Sequence, residues 1–138
     1  MEGIFLDTNV FLRHFLNDDP DKSRAARELF RSIERGSVTA WTTSLVIAEI
    51  VLVLSNAKIY GVDRATIRDL LLPILSLPHL KLDHKRVYPR VFEHYVTYSV
   101  DYVDAYHAAL VEHHGQDEVM SFDRDFDLIA GIHRREPI

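Results

Sequence analysis

The sequence predicts an α/β fold, a short parallel β-sheet of about four to five strands flanked by helices, in a single domain over residues 1–138. Three observations lead there. Short β-prone runs alternate with longer segments whose apolar residues recur at helical spacing, the order that builds a parallel sheet covered on both faces. The 138 residues fall within the roughly 100–200 expected of one domain. With 47% hydrophobic and 27% charged residues and only five Gly and five Pro, disordered, collagen-like and low-complexity classes are excluded. No internal repeat and no linker rich in Gly, Ser or Pro divides the chain.

Gly3-Ile-Phe-Leu6 is an apolar run ending at Asp7, read as a strand, and Val10 to Leu16 has helical periodicity. Asn17-Asp-Asp-Pro20 is a stop followed by a start: Asp19 caps a helix whose first turn tolerates Pro20 and which runs to Gly36. Val38 to Trp41 is a brief strand, and Thr43-Ser44 caps a helix from Leu45 to about Lys58, closed by Gly61. Asp63 caps Arg64 to about Leu77, and Pro78 breaks that helix. His79 to Asp83 alternates as a strand does, and Lys85 to Tyr98 reads as helix with Pro89 near its start. Asp101 to His114 is helical and stops at Gly115. Glu118 to Phe122 is a strand ending at Asp123, and a short helix, Phe126 to Ala130, precedes the tail.

A net charge of -5 and a sequence pI near 5.9 argue against nucleic-acid binding by bulk positive charge, so a polyanion partner would need a bound cation. Basic residues such as Arg13 and Arg124 carry no specific signal on their own. The absence of cysteine removes disulfides, thiolate chemistry and Cys-based zinc sites, and is compatible with a reducing cytoplasm. Met1 to Leu6 lacks the basic start and apolar stretch of a signal peptide, so export by that route is not expected. Leu45–Leu54 and Leu70–Leu77 are interrupted by Glu49 and Pro73 and fall short of the roughly 18 residues of a membrane span. The second stretch is read as core, with a dimer contact as its alternative.

Chemistry is expected at carboxylates that directly follow strands, because the binding crevice of an open α/β sheet lies beyond the carboxyl ends of its strands. Asp7 and Asp123 occupy that position, where each could also serve only as a helix cap. Glu49 is the single acid in the apolar run Leu45–Leu54. A helix apolar all round is expected to be buried, and an ionised carboxylate there costs on the order of several kcal/mol unless something meets it. An Arg, a retained proton or a metal ion would each do so. Asp104 lies where Ala105, Ala108 and Ala109 let the helix backbone approach a neighbour, and the helix dipole also favours an acid there. Asp101, on the same face, is read as a cap. Asp123-Arg-Asp-Phe-Asp127 begins like a calcium loop, but Leu128 replaces the required Gly and Arg134 the required Glu. Asp125 and Asp127 are read as outer members of a site or as solvated charges.

Asp7, Glu49, Asp104 and Asp123 would repel one another if brought together without a cation, so convergence would imply a metal. Oxygen ligands alone favour Mg²⁺ or Mn²⁺ and phosphoryl chemistry. Taken in order and spacing, Ile4-Phe-Leu-Asp-Thr-Asn9, Ser44-Leu-Val-Ile-Ala-Glu-Ile50, Asp104-Ala-Tyr-His-Ala-Ala109 and Ser121-Phe-Asp-Arg-Asp-Phe126 resemble a PIN domain over nearly the whole chain. The pattern is similar to VapC-type ribonuclease toxins of toxin–antitoxin pairs. The resemblance implies that Asp7, Glu49, Asp104 and Asp123 are catalytic and hold one or two Mg²⁺ or Mn²⁺ ions. It implies supporting places for Thr8, Asn9 and Ser44, and Asp125 is added as a supporting acid. It further implies endonucleolytic cleavage of RNA to 5′-phosphate and 3′-hydroxyl ends, a homodimer, and a small antitoxin protein whose tail crosses the acidic groove. A cytoplasmic location is expected separately, from the absence of cysteine and of a signal peptide. A stand-alone RNA-processing nuclease is the alternative within the family.

Other readings account for less. His107 and His114 would lie about 10 Å apart on one helix, too far to share a zinc ion. A haloacid-dehalogenase-like phosphatase asks for a second Asp where Asn9 stands, and a receiver domain asks for its acid on a middle strand. A binding module whose acids are only surface charge remains as the non-catalytic reading, distinguished by its lack of a stability response to Mg²⁺ or Mn²⁺.

Overall fold

Five short strands, all in parallel pairings, lie in two sheets of the computed structural model, which describes residues 2–138. The chain gathers into two compact units, Met1–Lys85 and Arg86–Ile138, with one sheet in each. No helix among the described residues is long and apolar enough to cross a membrane.

The first unit runs β1 (Ile4–Phe5), α1 (Thr8–Phe15), α2 (Pro20–Glu34), β2 (Ala40–Trp41), α3 (Ser44–Ser55), α4 (Arg64–Leu75) and β3 (Leu80–Lys81). Its sheet has the order β1-β2-β3, with Ile4, Ala40 and Leu80 in one row and Phe5, Trp41 and Lys81 in the next. Beyond the strand ends the Thr42 hydroxyl donates to the Leu6 carbonyl at 3.0 Å, a buried bond that ties β1 to the start of α3. Phe11, Phe30, Ile33, Ile47, Ile50, Leu54, Ile67 and Leu71 are buried, one stripe from each of the four helices.

The caps follow local chemistry. Asp19 accepts the Lys22 amide, Thr43 that of Val46 and Asp63 that of Thr66. Helix α3 stops short of the expected Lys58 because Asn56 turns the chain: its carbonyl accepts the amides of Ile59, Tyr60 and Gly61. The Lys85 ammonium donates to the carbonyls of Leu77 and Leu80, closing the connection from α4 to β3, and burial lowers its pKa.

Gly3 sets the entry to β1. Its φ is +101°, and a Cβ there would fall 2.3 Å from the Thr39 carbonyl oxygen, which accepts the Ile4 amide at 3.0 Å. Gly3→Ala is therefore expected to strain the backbone and break the first rung between β1 and β2, costing about 1–3 kcal/mol in urea unfolding. An unchanged midpoint would show that β1 contributes nothing to stability.

The second unit contains α5 (Tyr88–Thr97), α6 (Tyr102–His113), β4 (Glu118–Met120), a 3-10 turn over Arg124–Leu128 and β5 (His133–Arg135). Helix α5 buries Tyr88, Val91, Phe92, His94 and Tyr95. The expected small face of α6 is present, with Ala105, Ala108 and Ala109 all buried. β5 pairs with β4, Val119 opposite Arg134, in a stretch the sequence assigned to the tail.

Between α5 and α6, Arg90 donates to both carboxylate oxygens of Glu112, at 3.1 and 2.8 Å, and the buried His94 ring meets the same carboxylate. Burial pushes the Glu112 carboxyl up, but the hydrogen bonds from Arg90 and His94 outweigh it and hold the group below its usual value. A depressed carboxyl adds stability above its unfolded pKa and loses it as pH falls through the folded one. Glu112→Gln is thus expected to cost about 1 kcal/mol at pH 7, with the difference from wild type closing on acidification. A gap that persists in urea melts at low pH would mean shape rather than charge is at work.

Candidate acidic site

In the first unit, Asp7 follows β1 and stands at the N-cap position of α1, exposed and with no side-chain capping bond. Its carboxylate is not used to hold the helix. Thr8 is buried, and its hydroxyl has no hydrogen-bond partner among the described residues. Asn9 is exposed and, with Val10, Arg13, Lys22 and Leu29, lines a groove between α1 and α2 of about 420 Å³. Ser44 opens α3 and is half-buried, while the capping bond comes from Thr43.

Glu49 corrects the reading of α3. The helix is not buried all round: Val46, Ile47, Ile50, Val51 and Leu54 face inward, and Glu49 stands on the exposed side with Leu45 and Leu52, 80% and 68% exposed. Helical periodicity puts these on one face, four and then three residues apart. The desolvation argument for a partner to Glu49 therefore fails, because water already solvates the carboxylate. Glu49→Gln is expected to leave stability unchanged within about 0.5 kcal/mol, read by thermal melting without metal.

The second unit gathers the other acids. Oxygens of Asp101, Asp104 and Asp125 lie within 4.8 Å of one another. Asp104 is half-buried in the first turn of α6, and its pKa rises from 3.8 to about 6. Burial is the largest cause, followed by the Asp123 charge, a hydrogen bond shared with Asp123, and the charges of Asp101 and Asp125. Asp123 is held in place: its amide donates to Ser121 Oγ at 2.9 Å, and its Oδ1 accepts the Asp125 amide at 2.9 Å.

Asp101 was expected to be only a cap. It holds the N-cap position of α6 but makes no capping bond, and its carboxylate joins the cluster instead. Its sequence signal was its place three residues before Asp104 on the same face. Asp127 is excluded from the cluster's chemistry by Arg134, which donates to both its oxygens at 3.1 and 3.3 Å. No histidine joins a metal-ligating group among the described residues.

The cluster fits a hard divalent cation. Its donors are all carboxylate oxygens, and of the causes that raise Asp104, burial first and then the neighbouring acids, the like-charge part is what such an ion relieves. Each unit is a small α/β arrangement of parallel strands with a carboxylate just after a strand, Asp7 after β1 and Asp123 after β4, the position where parallel sheets bind their ligands. The model of the PIN domain family matches residues 4–132, across both units, and the chain belongs to that family, whose members are generally metal-dependent nucleases. No curated protein matches the chain.

Proposed function

We propose that this chain is an Mg²⁺- or Mn²⁺-dependent endoribonuclease of the VapC type, the toxin of a type II toxin–antitoxin pair. The observation that carries the reading is the cluster around Asp104, whose carboxyl is pushed to about 6 by burial and neighbouring acids in a family of nucleases. The proposal assigns Asp7, Glu49, Asp104 and Asp123 to the catalytic, metal-holding acids, and Thr8, Asn9, Ser44 and Asp125 to their support. It includes RNA as substrate, 5′-phosphate and 3′-hydroxyl products, a homodimer, one folded domain over residues 1–138, a cytoplasmic setting and an antitoxin as partner.

In this reading Asp104 and Asp123 would hold the ion from the second unit, with Asp125 in support and Asp101 as a further carboxylate within reach of Asp104 and Asp125. A bound Mg²⁺ or Mn²⁺ would supply a lowered pKa for a water and neutralise charge developing on the phosphate. The protein's own part is placement. Ser121 and the Asp125 amide fix the Asp123 carboxylate, so it needs no reorganisation when substrate arrives. With its carboxyl raised to about 6, Asp104 holds its proton to a higher pH than an ordinary Asp and is still ionised at pH 7, where it can ligate.

The test is a map of new 5′ ends after total cellular RNA meets the purified protein with Mg²⁺ or Mn²⁺, beside EDTA and Asp104→Asn controls. New 5′-phosphate ends that vanish in both controls are the expected result. An unchanged map from folded, metal-binding protein would reject the ribonuclease reading.

A further inference from the structure

We propose that Phe122 is a stacking platform for one nucleobase of a single-stranded RNA, holding the strand beside the acidic cluster; this rests on the nuclease reading above. Phe122 is 71% exposed, and it is the one aromatic ring among the exposed large apolar side chains of the second unit's described residues. It directly precedes Asp123, whose carboxyl bears on Asp104.

The exposure is not that of a loose loop. The Ser121 amide donates to the Arg135 carbonyl at 2.8 Å, the Ser121 carbonyl accepts from Arg134 Nη1 at 3.1 Å, and the Asp123 amide is held by Ser121 Oγ at 2.9 Å. Three bonds thus pin the backbone on both sides of a ring that the fold leaves in water. Such a ring loses little conformational freedom when something lands on it.

Charge selects the occupant's mode of binding. Asp101, Asp104, Asp123 and Asp125 repel phosphates before a cation is bound, and the chain as a whole carries -5. Beyond what a bound cation would provide, a strand held at this point gains nothing from these acids, so a contact that does not use backbone charge adds to its grip. Every base offers a π-face, so stacking on an aromatic side chain adds affinity without a phosphate contact and without a sequence requirement. Single-stranded RNA suits the ring better than a duplex, whose bases are already stacked.

The test compares wild type with Phe122→Ala, Phe122→Leu, Phe122→Tyr and Phe122→Trp, using cleavage of a short fluorescein-labelled single-stranded RNA with Mn²⁺. Melting temperature and elution volume are recorded for each. Phe122→Ala and Phe122→Leu are expected to raise KM about tenfold or more while kcat stays within about twofold, the size expected for one lost base stack. Phe122→Tyr and Phe122→Trp should restore KM. The salt dependence of KM should be the same in all five proteins, because no phosphate contact is removed.

A wild-type KM in Phe122→Ala or Phe122→Leu overturns the platform, as does a loss confined to kcat. If KM follows a change in elution volume, the ring is a protein–protein contact and the proposal also falls. Wild type that neither binds nor cleaves RNA would reject the nuclease reading itself, an outcome distinct from an active enzyme indifferent to residue 122.

Discussion

Asp104→Asn is expected to abolish metal-dependent cleavage and, in the same protein, to raise stability at pH 7 without metal. The two effects have one origin. In the folded chain the Asp104 carboxyl has a pKa of about 6 against its ordinary 3.8, because it is half-buried among Asp123, Asp101 and Asp125. Folding therefore favours the protonated form, and the group contributes a penalty that is absent below the unfolded pKa, grows as pH rises and is complete above about 6. The displacement taken at face value corresponds to roughly 3 kcal/mol. Water screens a half-buried cluster, so a gain of about 1 kcal/mol for the variant is the realistic figure. Urea titrations should show the variant ahead at pH 7 and level with wild type near pH 3.5. Adding Mg²⁺ or Mn²⁺ should reverse the order, since an ion bound only by the native state stabilises wild type by mass action. Equal melting of both proteins with and without metal would reject the cluster as a cation site. Loss of cleavage by at least a hundredfold is the matching expectation for activity.

Phe92→Ala is expected to cost about 3–5 kcal/mol, the largest loss of stability anticipated for one substitution here. The side chain is fully buried in α5, with its ring centroid 5.6 Å from that of Tyr102 and 6.3 Å from that of Tyr95. Truncation removes both ring contacts and leaves a cavity where α5 and α6 meet, the helices that carry His94 and Asp104. Against the 5–15 kcal/mol typical of a whole domain, that loss is severe. Phe92→Leu, which keeps most of the volume, should cost less than about 1.5 kcal/mol. Chemical denaturation separates the cases, and a small effect of Phe92→Ala would show that α5 and α6 close over the gap.

The order of helices and strands was legible because it rests on local chemistry. Asp19, Thr43 and Asp63 each accept the amide three residues on, and that signal needs no tertiary information. Asp7 and Asp123 were legible as acids following strands for the same reason. What could not be read was the side of an element that meets another. Helix α3 is apolar apart from Glu49 and its terminal serines, so only that single acid marks the face on which Leu45 and Leu52 remain in water. Asp101 looked like a cap because its position is a cap position; only three-dimensional proximity to Asp104 and Asp125 shows another use. His94 is buried among the apolar residues of α5, and its polar partner, Glu112, comes from the next helix, which no local pattern announces.

β5 carries no local signal, because His133-Arg-Arg135 has neither alternation nor β-prone residues, and the same composition bears on self-association. An outer strand is an open row of amides and carbonyls, the usual seed of ordered aggregation. Here that row is three residues long and carries two arginines. Arg134 is drawn to Asp127 and Glu136, and Arg135 to Glu118 across the pair. A chain cut before His133 would lose those guanidinium groups and leave the β4 backbone unpaired on the side β5 now occupies, beside the half-buried Val119 and the already exposed Met120. Such a truncation is expected to precipitate at concentrations where the full chain stays dispersed, which light scattering would register.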